Sequence, residues 1–343
     1  MLARRVTLLD VAADAGLSRA TCSLVLRDSP LVAAETRERV QASMEKLGYV
    51  YHRGAASLRT QRSHTAGLVI TDITNPFYAE LTHGIESELD AANYVLILGN
   101  TADRRQRQDQ LLATLHENAA DGVLLCPAEG TPLETLNMLR RWQLPVVLLL
   151  RHLPNGSCDY VGADNILGAR QATDHLIEHG HRRIAFIGGP ATSSARRERY
   201  LGYSQSLEKH GIDPSAMPNL PGPPTRAFGY HAMERLVSVE MQPVAVLCYS
   251  DVVAFGALLA LQAAGLTAGK EHAVIGFDDV AEASLWHPAL STVSTSPRSL
   301  GATAAHLLIE RIADPFGERR QVILPPRLVV RDSCGQHGKG DAR

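Results

Sequence analysis

The densest chemistry-bearing cluster in this chain of 343 residues is Arg196-Arg197-Glu198-Arg199. Guanidiniums in such a run suit an anionic or hydroxylated small molecule, because each offers a planar fork of donors to paired oxygens; a solvated helix face carries the same run. Asp278-Asp279 closes one apolar stretch, AVIGFDD, and Ser250-Asp251 closes another, AVLCYSD. Short polar side chains just past apolar runs either meet a ligand's hydroxyls or cap the helix that follows. Near the N-terminus, Ser18, Arg19, Ala20, Thr21, Ser23 and Leu24 combine one guanidinium with three hydroxyls and two apolar residues, a mixture able to meet phosphates and base edges. His175, His179 and His181 include an i, i+4 pair but lack a carboxylate third ligand at useful spacing, so no metal is expected. No Gly-x-Ser-x-Gly, phosphate-binding GxxxxGK loop or zinc-protease motif occurs, so neither an enzyme nor a cofactor is expected.

Composition bounds the setting for these groups. With 45% hydrophobic and 20% charged residues the chain suffices for two or three compact domains and lacks the signature of disorder. The net charge of −2 hides an asymmetry: residues 1–62 carry ten Lys/Arg against six Asp/Glu, which leaves 24 against 30 for the rest. A basic head on an acidic body fits a nucleic-acid module joined to something else. The five cysteines are scattered without a CxxC, which suggests neither a disulfide framework nor a zinc knuckle. The N-terminus lacks the unbroken apolar stretch of a secretory signal, and no run of 18 apolar residues occurs, so a cytoplasmic protein without a membrane partner is expected.

The elements that must position the N-terminal group are helices. Thr7-Leu8-Leu9-Asp10 reads as a helix start, with Thr7 as cap; Leu8, Val11, Ala12 and Ala15 follow helical spacing until Gly16-Leu17. Ser18 then caps a second helix to about Arg27, and a third runs from about Ala34 to Leu47, stopped by Gly48. Two short helices with a glycine-bearing turn make a helix-turn-helix, whose second helix enters the major groove of DNA. That register puts Arg19, Ala20 and Leu24 toward base edges and Ser18, Thr21 and Ser23 toward phosphates, with Cys22 as a small core residue. The basic segment RGAASLRTQRS, residues 53–63, is too polar to bury a core and suits a phosphate backbone.

The stretch VTLLDVAADAGLSRATCSLVLRDSPLVAAETRERVQASMEKLGYV resembles the DNA-binding head of the LacI/GalR family, almost position by position. It departs from the family at Leu24, where Arg or His is frequent, at Ala33, where Ser caps the third helix, and at Tyr51, where Pro is usual. The resemblance makes residues 1–52 the DNA-binding domain and residues 53–63 a hinge that becomes helical on DNA. It puts Leu58 in the role of a minor-groove wedge. Thr7 and Arg53 join the expected DNA contacts.

After the hinge, short apolar runs alternate with amphipathic stretches twice over, first through AGLVIT, YVLILG, GVLLC and PVVLLL, then through RIAFIGG, AVLCY and AVIGFDD. The pattern predicts an α/β core of two lobes, each a doubly wound parallel sheet, with ligands outside the carboxyl ends of the strands. DITNPFYAELTHGIE, HLIEHGHRRIAFIGGP, SDVVAFGALLALQAAGL and HPALSTV extend the resemblance over residues 64–332 and imply a fold like the periplasmic sugar-binding proteins. Expected boundaries are 64–162 with 293–321 for the N-lobe and 163–291 with 322–332 for the C-lobe, then a disordered tail over 333–343. By resemblance, effector contacts fall on Asn75, Phe77, Ser193, Arg199, Ser250 and Asp278; Asp164 and Asp251 read as helix caps, and the arginine run favours an acidic effector such as a sugar acid. The implied protein is a regulator, by family habit a repressor, that acts as a homodimer on double-stranded, pseudo-palindromic operator DNA under control of a small-molecule effector. The tail lacks the leucine heptads that would build a tetramer.

Overall fold

A computed structural model describes residues 6–26, 29–49, 62–154, 158–239, 244–270 and 272–335. The chain divides into two compact units, residues 1–63 and 64–343.

In the first unit, α1 (Leu8–Ala15) begins at Thr7, whose hydroxyl accepts from the Asp10 N–H while the Asp10 carboxylate accepts from the Thr7 N–H at 2.8 Å. This reciprocal box satisfies two donors that a helix start leaves orphaned. α2 (Arg19–Val25) is capped by Ser18 Oγ, 3.0 Å from the Thr21 N–H, and ends two residues short of the expected Arg27. α3 (Ala34–Leu47) starts at Ala33 without a side-chain cap and stops at Gly48, which takes the left-handed φ of 65°. Val11, Ala12, Ala15, Cys22, Val25 and Val40 form the small core. Because so few apolar residues are available, polar ties add to it: Arg39 reaches the Ala15 carbonyl at 2.7 Å and Lys46 pairs with Asp14 at 2.7 Å.

The second unit contains two sheets. The strands β1 (Thr65–Ile70), β2 (Val95–Asn100), β3 (Gly122–Leu125), β4 (Val146–Leu149) and β5 (Asp159–Ala163) form the N-lobe sheet, completed by β11 (Gln321–Leu324). The order is β11-β5-β4-β3-β1-β2 and every pairing is parallel. The C-lobe sheet has the order β12-β10-β9-β8-β6-β7. Its strands are β6 (Ile184–Ile187), β7 (Asn219–Leu220), β8 (Ala245–Cys248), β9 (Ala273–Asp278), β10 (Ser291–Ser294) and β12 (Arg327–Val329), the last antiparallel to β10. β3, β4, β6, β8 and β9 are buried along their whole length, as their unbroken apolar runs require when helices cover both faces.

Crossover helices flank both sheets: α4 (Pro76–Ala91), α5 (Arg105–Glu117) and α6 (Leu133–Arg141) in the N-lobe, then α7 (Asn165–Glu178), α8 (Ser194–Lys209), α9 (Arg226–Val239) and α10 (Asp251–Ala263) in the C-lobe. α11 (Pro297–Ala313) returns to the N-lobe and crosses α4 closely. A Cβ on Gly84 would stand 2.2 Å from the Arg298 carbonyl oxygen, and one on Gly301 2.2 Å from that of Leu81.

The chain passes between lobes at residues 163–165, 294–297 and 324–327, which corrects the expected boundaries near 293 and 322. Val293 and Ser294 belong to the C-lobe, since Val293 pairs with Phe277; residues 322–324 belong to the N-lobe, since Val322 pairs with Val161. An apolar run reveals a strand but not the sheet it joins. Residues 333–335 are also not part of a disordered tail. Ser333 and Cys334 are fully buried, and Ser333 Oγ donates to the Val274 carbonyl at 2.6 Å while accepting from the Ser291 N–H. Residues 336–343 lie outside the described residues.

Candidate functional site

Each sheet has one point where strand order reverses: β1 has β2 on one side and β3 on the other, and β6 has β7 and β8. Loops at the carboxyl ends of the strands splay apart at such points and leave a crevice. Here the two crevices face each other across one cleft, whose N-lobe wall carries Asn75, Phe77, Tyr78 and Arg151 and whose C-lobe wall carries Arg199, Tyr249, Ser250 and Asp278. Its free volume is about 60 Å³, a few waters' worth, so anything larger enters only as the lobes part. A roomier cavity of about 310 Å³ lies beside it, lined by sheet side chains such as Leu148, Tyr160 and Ile323. The smaller cleft is the better candidate. It sits at both reversal points, and among its lining residues are the buried hydroxyls Ser250 Oγ and Thr295 Oγ1, which have no hydrogen-bond partner among the described residues. Buried polar atoms left unpaired are costly and call for a partner.

The C-lobe wall is built around Arg199, buried on α8. Its Nε donates to Asn165 Oδ1 at 2.9 Å, its Nη1 donates to the Tyr249 carbonyl, and its Nη2 lies 3.7 Å from Asp278 Oδ1. The guanidinium also stacks over Phe277, 3.7 Å from the ring centroid, so its plane is held from all sides. Asp278 ends β9 with φ 121° and Asp279 follows at 59°, a left-handed turn rare for non-glycine residues. Burial pushes the Asp278 carboxyl up to about 7 against the pull of Arg199. The turn is held by Asp251, which is not the helix cap expected of it: Ser250 occupies that position, and Asp251 instead accepts from the Val280 N–H at 2.9 Å and from Thr292 Oγ1 at 2.5 Å. Burial and the neighbouring Asp278 raise its carboxyl as well.

On the N-lobe wall, Asn75 caps α4 by accepting from the Phe77 N–H at 3.0 Å, so it has a structural role whatever else it does. Tyr78 Oη and Thr71 Oγ1 are 2.6 Å apart behind it. Arg151 follows β4 and is 7% exposed; its Nη1 donates to Asp103 Oδ1 at 2.7 Å and to the Pro127 carbonyl at 3.2 Å. Two contacts between side chains beside the cleft tie the lobes together. His152 Nε2 meets Glu198 Oε1 at 2.6 Å, and Thr192 Oγ1 donates to Glu129 Oε1 at 2.5 Å. The hydrogen bond to Glu198 raises the His152 imidazole above its ordinary value despite partial burial. Burial pushes the Glu198 carboxyl up, but hydrogen bonds from His152 and Asn165 outweigh it and hold the group low.

Five of the six expected effector residues, Asn75, Phe77, Arg199, Ser250 and Asp278, line this cleft. Ser193 does not: it is the N-cap position of α8, with its hydroxyl buried away from the lining and without a partner among the described residues. The arginine run also separates. Arg196 donates to the Gly188 carbonyl and Asn219, Arg197 to the Thr192 carbonyl, and only Arg199 reaches the cleft. Arg151, Asn165, Tyr249 and Thr295 were missed by sequence reasoning, although all four stand just after strands, where ligands of parallel sheets bind. Asp164 caps α7, accepting from the Leu167 N–H as expected. His175 and His179 serve local bonds, to Cys334 Sγ and to a backbone carbonyl. In the first unit, Ser18, Arg19 and Ala20 are exposed at the start of α2, Ser23 and Leu24 are half-buried, and Cys22 is buried. The hydroxyls of Thr7, Ser18 and Thr21 are engaged in capping bonds. Arg53 and Leu58 lie outside the described residues.

Comparison with known proteins places both units. Residues 7–51 match the model of bacterial regulatory proteins of the lacI family, and residues 173–334 match a periplasmic binding protein-like domain. The ribose operon repressor of Escherichia coli (strain K12) is 34% identical over 329 residues, covering 96% of this chain and 99% of that protein. A solved complex of the transcriptional regulator CelR with cellobiose is 33% identical, with a TM-score of 0.73 and coverage of 96% and 100% of the two chains. The lac repressor dimer bound to operator and the anti-inducer ONPF superposes with a TM-score of 0.85 over 97% of this chain and 100% of that one, at 24% identity, a likeness of fold. With a helix-turn-helix head, a two-lobed core and end-to-end similarity to operon repressors, the chain belongs to the LacI family of bacterial transcription regulators.

Proposed function

We propose that this regulator is a repressor whose hold on operator DNA is set by a small polyhydroxylated ligand, a sugar or sugar acid, bound in the cleft between the core lobes. The single observation that carries the ligand reading is the pair of buried hydroxyls of Ser250 and Thr295, without a partner among the described residues, beside the Arg199–Asp278 pair. Hydroxyls, a carboxylate and a guanidinium around apolar Phe77 suit a molecule with hydroxyls on its edges and a C–H face. The relatives point the same way: one is the repressor of a ribose operon, another was solved with cellobiose, and a LacI-family regulator 28% identical over 79% of this chain was solved with ribose.

The protein acts as a homodimer in the cytoplasm, without catalysis. Two heads reading a pseudo-palindromic site double the contacts that one small head makes. Arg19 and Ala20, exposed at the start of α2, meet base edges together with Leu24; Thr7, Ser18, Thr21 and Ser23 contact phosphates, and Arg53 and Leu58 engage the DNA from the hinge. Ligand binding changes how the lobes close, and thereby how well two hinges engage the operator. No described helix is long and apolar enough to cross a membrane.

A thermal-shift screen of the full chain against sugars, sugar acids, sugar phosphates and nucleosides tests the cleft. A ligand at 100 times its Kd stabilises by about 2.7 kcal/mol, and Arg199→Ala and Asp278→Ala are expected to abolish that shift. A ligand that stabilises wild type and both variants alike binds elsewhere and defeats the assignment.

A further inference from the structure

Arg151 is the second guanidinium that lines the cleft. It is buried on the N-lobe wall, opposite Arg199 on the C-lobe wall, and both line the same narrow space. Its hydrogen bonds to Asp103 and the Pro127 carbonyl both use Nη1. Nε and Nη2, the two donors along the other edge of the guanidinium, have no protein partner among the described residues. That edge is the parallel fork which fits the two oxygens of a carboxylate.

The surrounding charges leave that fork unmatched. Asp103 sits behind Arg151, outside the cleft lining, and also accepts from the Glu129 N–H at 2.8 Å. Asp72 lines the cleft on the same lobe, but one of its oxygens closes its own turn, accepting from the N–H and the hydroxyl of Thr74 at 2.9 and 2.7 Å. On the opposite, C-lobe wall Asp278 stands 3.7 Å from Arg199, beyond direct hydrogen bonding. Ser250 Oγ and Thr295 Oγ1 remain for hydroxyls.

Building on the reading of the cleft as the effector site, we infer that the ligand is a polyhydroxylated carboxylic acid whose carboxylate is gripped by the open edge of Arg151, making Arg151 the residue that selects acids over neutral sugars. The arginine run of α8 gives no such selectivity, since two of its three guanidiniums turn away.

The test is calorimetric titration of the full chain with D-ribonate, D-gluconate and D-galactonate, each against its parent aldose. At least one aldonate is expected to bind about tenfold or more tighter than its aldose, a difference of about 1.4 kcal/mol. Arg151→Gln removes that preference, lowering aldonate affinity about tenfold or more while changing aldose affinity little. Because the single variant leaves Asp103 unpaired, Asp103→Asn/Arg151→Gln is measured alongside it and loses the preference equally; Arg151→Lys keeps part of it. An aldose binding as tightly as its aldonate, or an unchanged preference in both Gln variants, overturns the acid assignment and leaves the cleft reading standing. Failure of all six compounds to bind the wild type counts against both.

Discussion

Asp278 shows how one side chain couples local strain to function. Its φ of 121° and its burial are tolerated because Asp251 holds the following Val280 N–H and Arg199 lies within 3.7 Å. Its carboxyl, raised to about 7 from an ordinary 3.8, is protonated in the folded chain over a range where the unfolded chain has released the proton. The folded state therefore binds more protons between those values, so stability falls as pH rises from about 4 to about 7 and levels off above. Asp278→Asn is expected to flatten that part of the profile, read as Tm of the ligand-free protein at pH 5 to 8; parallel curves for variant and wild type would show that Asp278 is ionised throughout. Asp278 and Arg199 were pointed to by the family resemblance, and each also stands in a motif with neighbours, FDD after an apolar run and RRER in a helix. Arg151 was not, since a lone arginine after PVVLLL has no pattern around it and its importance comes from the opposite lobe. Nor was the fate of Asp251: position suggests a cap, and only the fold reveals that Gly276, where a Cβ would stand 2.1 Å from the Asp251 carboxylate, makes room for it beneath the turn.

At the scale of elements, the alternation of apolar runs and amphipathic stretches was enough to lay out two parallel sheets, because strands buried on both faces must be apolar throughout. It did not assign β10 and β11 to lobes: STVS and QVIL carry no mark of the sheet they join, which is settled by partners Phe277 and Val161 far away in the chain. The elements also limit motion. Three crossings link the lobes, and the His152–Glu198 contact spans the gap from the end of β4 to α8. Both side chains are partly exposed, 40% and 26%, so screening keeps the pair to at most about 1 kcal/mol. The His152 imidazole is raised, so its contribution is fully present below the ordinary pKa of about 6.5 and is lost as pH rises through the higher folded value. Small-angle scattering of the ligand-free protein is expected to show more open lobes at pH 8.5 than at pH 6. His152→Ala should remove that difference; a dependence that survives the substitution would assign it elsewhere.

For the whole molecule, the basic head and acidic body visible in the sequence correspond to two separately folded units, residues 1–63 and 64–343. Regulation then requires that a ligand bound in the core have unequal affinity for two arrangements of the core, since a ligand binding both equally shifts nothing. A cleft whose walls come from both lobes meets that requirement: Phe77 and Arg151 on one side and Arg199, Ser250 and Asp278 on the other are brought together only when the lobes approach. Linkage makes the coupling reciprocal, so operator binding must change ligand affinity by the same factor as ligand changes operator affinity. The most direct test is a fluorescence-anisotropy titration of the full-length protein onto an operator selected from random-sequence DNA, at one salt concentration, with and without a saturating ligand that calorimetry has placed in the cleft by its loss in Arg199→Ala. The account predicts that the ligand shifts operator Kd by about fivefold or more. An operator Kd that is the same with the cleft empty and filled would contradict it.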